Sequence, residues 1–203
     1  MDLTETLTSL KISNHSISSY CHRGTGVINV KKLIDSHFGN GTFDSWAKAF
    51  NSKWDGYLIA TAWYNMDMIM FIVEKYSRET NRTFEDCSKE IGKFTIQSDL
   101  SGVYKMFITE KDPQKILSMY PMMGSRYHNF LTTNLVENSK GNFICNFRLP
   151  SIYKKWNIGV VQGRIGGILE ICSAQLSYYD YSIKNQFDIE PDYITIQHHF
   201  VYS

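Results

Sequence analysis

The chain has 203 residues, 43% hydrophobic and 20% charged, the composition of one globular domain with a sizeable core. Its 21 basic and 20 acidic side chains leave a net charge of +1, so nothing draws it to nucleic acid or to a membrane surface. Cys21, Cys87, Cys145 and Cys172 contain no C-x-x-C pair, which argues against a zinc site and against a dense disulfide framework.

Met1-Asp2-Leu3-Thr4-Glu5 lacks the basic and apolar regions of a signal peptide, so a cytoplasmic location is expected. The glycosylation patterns at Asn14, Asn40 and Asn81 then carry no weight. Residues 1–26, rich in Ser and Thr, are expected to be a partly flexible segment ahead of a single domain over 27–203. Gly24-Thr25-Gly26 reads as a turn, because Asn29 stands where a dinucleotide loop needs its third Gly and no strand precedes it. Cys21-His22 falls in the same mobile stretch and is set aside as a nucleophile and base.

Val30–Phe38 and Phe43–Trp54 are amphipathic helices split by the turn Gly39-Asn40-Gly41. Tyr57–Val73 is apolar enough to be tested as a membrane span, but Asn65 and Asp67 lie in its middle. Leu58, Ala62, Met66, Ile69, Val73 and Tyr76 recur at helical spacing, so the segment reads as a buried helix and no membrane span is expected. Thr83-Phe84-Glu85-Asp86 has the form of a capping box and starts a helix through Ile91 and on past Gly92. Gln97–Ile108 is a further helix. Asp112-Pro113 caps another, running to Tyr120, where Pro121 kinks or ends it.

The last seventy residues change period. Leu131–Glu137 and Asn142–Leu149 form a hairpin in which Phe143, Cys145, Phe147 and Leu149 share one face. A helix follows over Asn157–Ile171, and its Gly159, Gly163, Gly166 and Gly167 imply close approach of another backbone. Ser173–Ile183 and Tyr193–Tyr202 alternate again around the Asp188–Asp192 turn. The fold class is therefore α+β: a mainly helical front, then a four-stranded antiparallel sheet with a helix between the strand pairs.

That order, from about Val27 to Tyr202, resembles the H-NOX (haem nitric oxide/oxygen binding) superfamily, a fold shared with 4-vinyl-reductase-type domains, a paralogous myxobacterial family and, more distantly, TRAPP vesicle-tethering subunits. The resemblance is carried by Trp63–Tyr76, Thr83–Cys87, Glu90–Phe94, Asp112–Leu117 and Ile158–Gly163. It implies a proximal His on the helix before the sheet and a Tyr-x-Ser-x-Arg motif gripping haem propionates. Pro113–Tyr120 holds no His, and aligning Arg148 with the motif's Arg puts Ile144 and Asn146 where Tyr and Ser belong. His128 lies beyond Pro121. No cofactor is therefore expected, haem included.

The remaining expectation is a haem-free sensor or binding module for a small apolar or amphipathic ligand, contacted by Met119, Tyr120, Met123, Arg126 and Arg148. A signal would pass to a separate protein partner. Arg164 could serve an anion too, though for any single Arg an ion-paired or solvated place is commoner. Met66, Met68 and Met70, with Met119, Met122 and Met123, could line an adaptable pocket, though core packing is the commoner place for any single Met. On His198-His199, strand geometry sends the two rings to opposite faces, so they do not share a metal. The alternative class is an interaction or dimerisation scaffold, a homodimer included; a vinyl-reductase-like enzyme is the third.

Overall fold

The computed structural model describes residues 20–102, 104–108, 111–185 and 192–203. The sequon at Asn14, the first nineteen residues of the expected flexible segment, and the turn before Asp192 lie outside the described residues.

Among the described residues, six α-helices precede or cover a four-stranded sheet. Strand β1 (Cys21–Arg23) leads into α1 (Gly24–Phe38), and α2 (Thr42–Phe50) follows across Gly39 and Gly41, both at positive φ. Strand β2 (Trp63–Asn65) pairs antiparallel with β1 and enters α3 (Met66–Thr80). Helix α4 spans Phe84–Ser101 and α5 spans Pro113–Tyr127, with a short 3-10 turn (Lys105–Ile108) between them. Then come β3 (Thr132–Ser139), β4 (Asn142–Pro150), α6 (Lys154–Ile171), β5 (Leu176–Asn185) and β6 (Tyr193–Tyr202).

The caps explain the helix starts. Thr83 Oγ1 accepts from the Asp86 amide at 3.0 Å, and the Asp112 carboxylate accepts from the Gln114 amide at 2.9 Å with Pro113 in the first turn. The Asn65 side chain accepts from the Asp67 amide at 2.7 Å and fixes the start of α3 at Met66. The helix expected from Tyr57 therefore begins later, because Trp63–Asn65 is claimed by pairing with β1. Gly24–Gly26 opens α1 instead of forming a turn. The expected Gln97–Ile108 helix is split: α4 carries its first part to Ser101 and Gly102 caps it.

The sheet order is β3-β4-β6-β5, antiparallel throughout. Phe143, Cys145, Phe147 and Leu149 of β4, with Ile194, Ile196, His198 and Phe200 of β6, face the helices and are buried. The opposite face is polar: Gln197 donates to Asn146 at 3.0 Å, and His199 lies 2.7 Å from Asn142. His198 and His199 thus part as strand geometry requires, and His198 is held between Tyr179 and Asn157 at 3.1 Å each. Met66, Met68 and Met70 are core residues.

Helix α6 is buried around nearly its whole circumference, pressed between α4 and the sheet. Its glycines make this possible. A Cβ on Gly163 would stand 1.8 Å from the Lys89 carbonyl oxygen, and one on Gly159 would stand 2.5 Å from that of Glu85. The two helix backbones are in direct contact there.

Candidate functional site

The interior between β1, α5 and α6 holds an unusual concentration of polar groups. Helix α5 does not stop at Pro121; it runs on to Tyr127 and delivers His128 at its end. His128 is 2% exposed, and an isolated β-bridge joins it to His22, also 2% exposed. The Cys21 amide donates to the Asn129 side chain at 2.7 Å, which locks β1 against this end of α5. The two imidazoles meet edge to face with centroids 4.5 Å apart, and Trp156 of α6 stands 4.8 Å from His128. Phe130 at 5.3 Å completes the cage around His128.

His22 Nδ1 lies 3.0 Å from the Arg23 carbonyl oxygen, so that nitrogen carries the proton. His128 has no such partner among the described residues: neither ring nitrogen makes a hydrogen bond, and Trp156 Nε1 and the Tyr120 hydroxyl are likewise buried and unsatisfied. The Gly124 carbonyl slightly favours a protonated His128, and Arg164 sits near the Tyr120 hydroxyl, but neither contact reaches hydrogen-bond geometry. Such gathered orphans are rare in folded proteins and mark a place where a further polar group belongs.

A second layer of charge lies behind the imidazoles. Arg164, 4% exposed, stacks over the Tyr127 ring at 4.6 Å. The Tyr127 hydroxyl donates to Asp99, whose other oxygen accepts from Asn29 at 2.9 Å. Burial raises the Asp99 carboxyl pKa against the pull of Tyr127 and the Arg164 charge. Burial also drives His22 down to about 3, and holds His128 well below 6.5 with help from His22 and Arg164. Both rings are therefore neutral, with lone pairs available.

These shifts give a pH dependence. His198 is likewise lowered by burial to about 3, from 6.5. For a His with a depressed folded pKa the unfolded chain binds the extra proton, so stability is complete above pH 6.5 and is lost as pH falls toward 3. Each such His contributes about 1.4 kcal/mol per pH unit inside that window. The raised carboxyls of Asp67 and Asp99 act in the opposite sense and offset part of the loss. Thermal unfolding followed from pH 7 to 4 is expected to show a steep fall, made shallower by one proton in His198→Asn.

The expected ligand contacts are dispersed by this architecture. Tyr120 and Met123 are buried, Tyr120 against Phe147 at 6.0 Å, while Met119 is half-buried. Arg126 faces an outer cleft. Arg148 lies on the polar face of the sheet, its guanidinium 4.7 Å over the Tyr193 ring, because the apolar face of β4 is the one that packs on the helices. It does not join Tyr120 and Met123. Cys21-His22, expected in a mobile stretch, forms β1 instead. Arg164 had a partial signal: it is the one arginine of a helix whose middle turns are otherwise aliphatic residues, glycines and Gln162.

Residues 23–139, more than half of the chain, match the Haem-NO-binding family. The chain belongs to the Haem-NO-binding family. Solved H-NOX structures share its fold. An oxygen-binding H-NOX domain related to soluble guanylate cyclases, solved as its oxygen complex, superposes with TM-score 0.68 at 12% identity, covering 89% of this chain and 95% of that one. An H-NOX protein from S. oneidensis in the Fe(II)NO ligation state gives TM-score 0.61 at 13% identity, over 88% and 98%. An Fe(II) unliganded point mutant of the H-NOX protein from K. algicida gives 0.62 at 12%, over 88% and 96%. At such identities the likeness establishes fold alone. No curated protein sequence matches the chain. None of these relatives bears on kinship with 4-vinyl-reductase-type domains or the myxobacterial family.

The family match overturns the expectation that the chain takes no cofactor, since haem is what the family is named for. Two features misled that expectation. The broken motif at 144–148 lies beyond the matched residues, and the His-free stretch Pro113–Tyr120 is only part of its helix, because α5 continues through Pro121 and brings His128 inside. The chemistry of His128 fits an axial ligand: a buried, neutral imidazole with both nitrogens unsatisfied. The rings of His22 and Trp156 stand against it, at 4.5 and 4.8 Å between centroids. No helix among the described residues is long and apolar enough to cross a membrane.

Proposed function

We propose that this chain is a haem-based sensor module in which the His128 imidazole would hold the iron, and that it passes its state to a separate protein. The family match supports the cofactor, and the unsatisfied imidazole of His128 is the observation that carries the assignment. When bound, haem supplies an iron centre able to take up a small diatomic ligand, as the oxygen complex and Fe(II)NO state of the structural relatives do.

The protein's own part follows from its geometry. Burial keeps His128 unprotonated, so its lone pair stays available across the physiological range. Phe130, Trp156 and His22 exclude water from the ring. Arg164 places a buried cation near His22 and His128, and its charge helps keep both imidazoles unprotonated. His128 ends the helix whose Met122 and Arg126 are exposed, so one rigid element links the buried ring to the surface.

Reconstitution of the purified chain with haemin tests the reading. A Soret band distinct from that of free haemin, saturating at one haem per chain, is the expected result. A spectrum that remains that of free haemin would set the assignment aside.

A further inference from the structure

We propose that an outer cleft bounded by Arg23, Trp63 and Arg126 binds a phosphate monoester carried on a small planar ring. The cleft has a volume of about 440 Å³, within the range of small-molecule sites. Two guanidinium groups line it, those of Arg23 and Arg126, together with the hydroxyl-bearing Thr25 and Thr61 and the rings of Trp63 and Tyr104. Among the described residues no Asp or Glu lines it. Two cations facing one concave surface without a carboxylate repel each other, and a dianion relieves that repulsion.

The fold holds these groups in place. Arg23 and Trp63 are direct partners in the β1–β2 pairing, and the Arg23 guanidinium lies 4.8 Å over the Trp63 ring. Arg23 is thus ordered by an aromatic face and keeps its donors for a ligand. Arg126 is exposed, and among the described residues it makes no ion pair. Trp63 is 43% exposed, which leaves ring surface for a flat group to stack on. Guanidinium forks grip oxyanions two oxygens at a time, and the two positive charges favour a dianionic phosphate monoester over a monocarboxylate. Neither His22 nor His128 lines the cleft, although their neighbours Arg23 and Tyr127 do, so this inference does not depend on haem.

Calorimetric titration of the full chain, without added haem, is the test. Phenyl phosphate is expected to bind saturably in the millimolar range or tighter, benzoate more weakly because it carries one charge, and phenol not at all. Arg126→Ala should weaken phenyl phosphate at least tenfold at an unchanged unfolding temperature, and Arg126→Lys should retain part of the affinity. Arg82→Ala, outside the cleft, should leave binding as it is. Absence of saturable binding, equal binding of phenol, or wild-type affinity in Arg126→Ala overturns the proposal.

Discussion

Replacing His128 by Phe is expected to abolish the Soret band of the reconstituted protein while leaving the haem-free fold as stable as before, or more so. The two effects share one cause. In the haem-free chain the ring is buried with both nitrogens unsatisfied, and each orphaned polar atom costs about 1–3 kcal/mol. Phe keeps most of the ring contacts with His22, Phe130 and Trp156 and removes that cost. A net gain of about 1–2 kcal/mol in denaturant unfolding is the expected size. A ligand removed from iron, by contrast, cannot be replaced by a hydrocarbon ring. His128→Gly offers a second arm, because added imidazole should restore the spectrum if the pocket is intact. Retention of the wild-type Soret band in His128→Phe would falsify the assignment and turn attention to His22.

Gly163→Ala should be among the most damaging single changes in the chain. The added methyl would lie 1.8 Å from the Lys89 carbonyl oxygen, a backbone atom that cannot rotate away. Either α4 and α6 separate or α6 distorts, and overpacking of this kind costs about 3 kcal/mol or more. The damage should extend to the site, since α6 carries Trp156 and Arg164. Gly166 lies on the same helix, where an added methyl would meet nothing within 4 Å, so Gly166→Ala should be neutral or gain up to about 1 kcal/mol from helix propensity. Urea unfolding of the pair checks both. Equal stabilities would mean that the α4–α6 contact yields far more easily than its spacing implies.

The sheet was legible because its signal is local: alternation in Asn142–Leu149 and Tyr193–Tyr202 assigns a buried face without knowledge of the partner. The antiparallel pairing and the intervening helix appear as expected. The glycine-rich stretch was readable in part: Gly159, Gly163 and Gly167 mark close approach as expected, whereas Gly166 has nothing within 4 Å. The site was harder, because tertiary contacts decided it. Pro121 is tolerated inside α5, and that single continuation changes where His128 goes. Gly24 and Gly26 looked like turn residues, yet their role is space: a Cβ on Gly26 would fall 2.0 Å from His22 Cε1, and one on Gly24 would fall 2.0 Å from the Ile59 carbonyl oxygen. Nothing adjacent in sequence announces Ile59. Arg148 shows the same limit from the other side, where the alternation of β4 outweighed the motif alignment.

The placement of β6 has a consequence for how the molecule comes into being. Although it comes after β3, β4 and β5 in sequence, β6 is a central strand, hydrogen-bonded to β4 on one side and β5 on the other. During synthesis the β3–β4 hairpin and α6 emerge well before Tyr193–Tyr202, with the apolar row Phe143, Cys145, Phe147 and Leu149 awaiting its neighbour. Until β6 arrives, β4 and β5 are two open edges, each able to recruit a strand from another nascent chain. The sheet is therefore completed by an insertion, and until then its open edges are the part of the molecule most in need of a chaperone's protection.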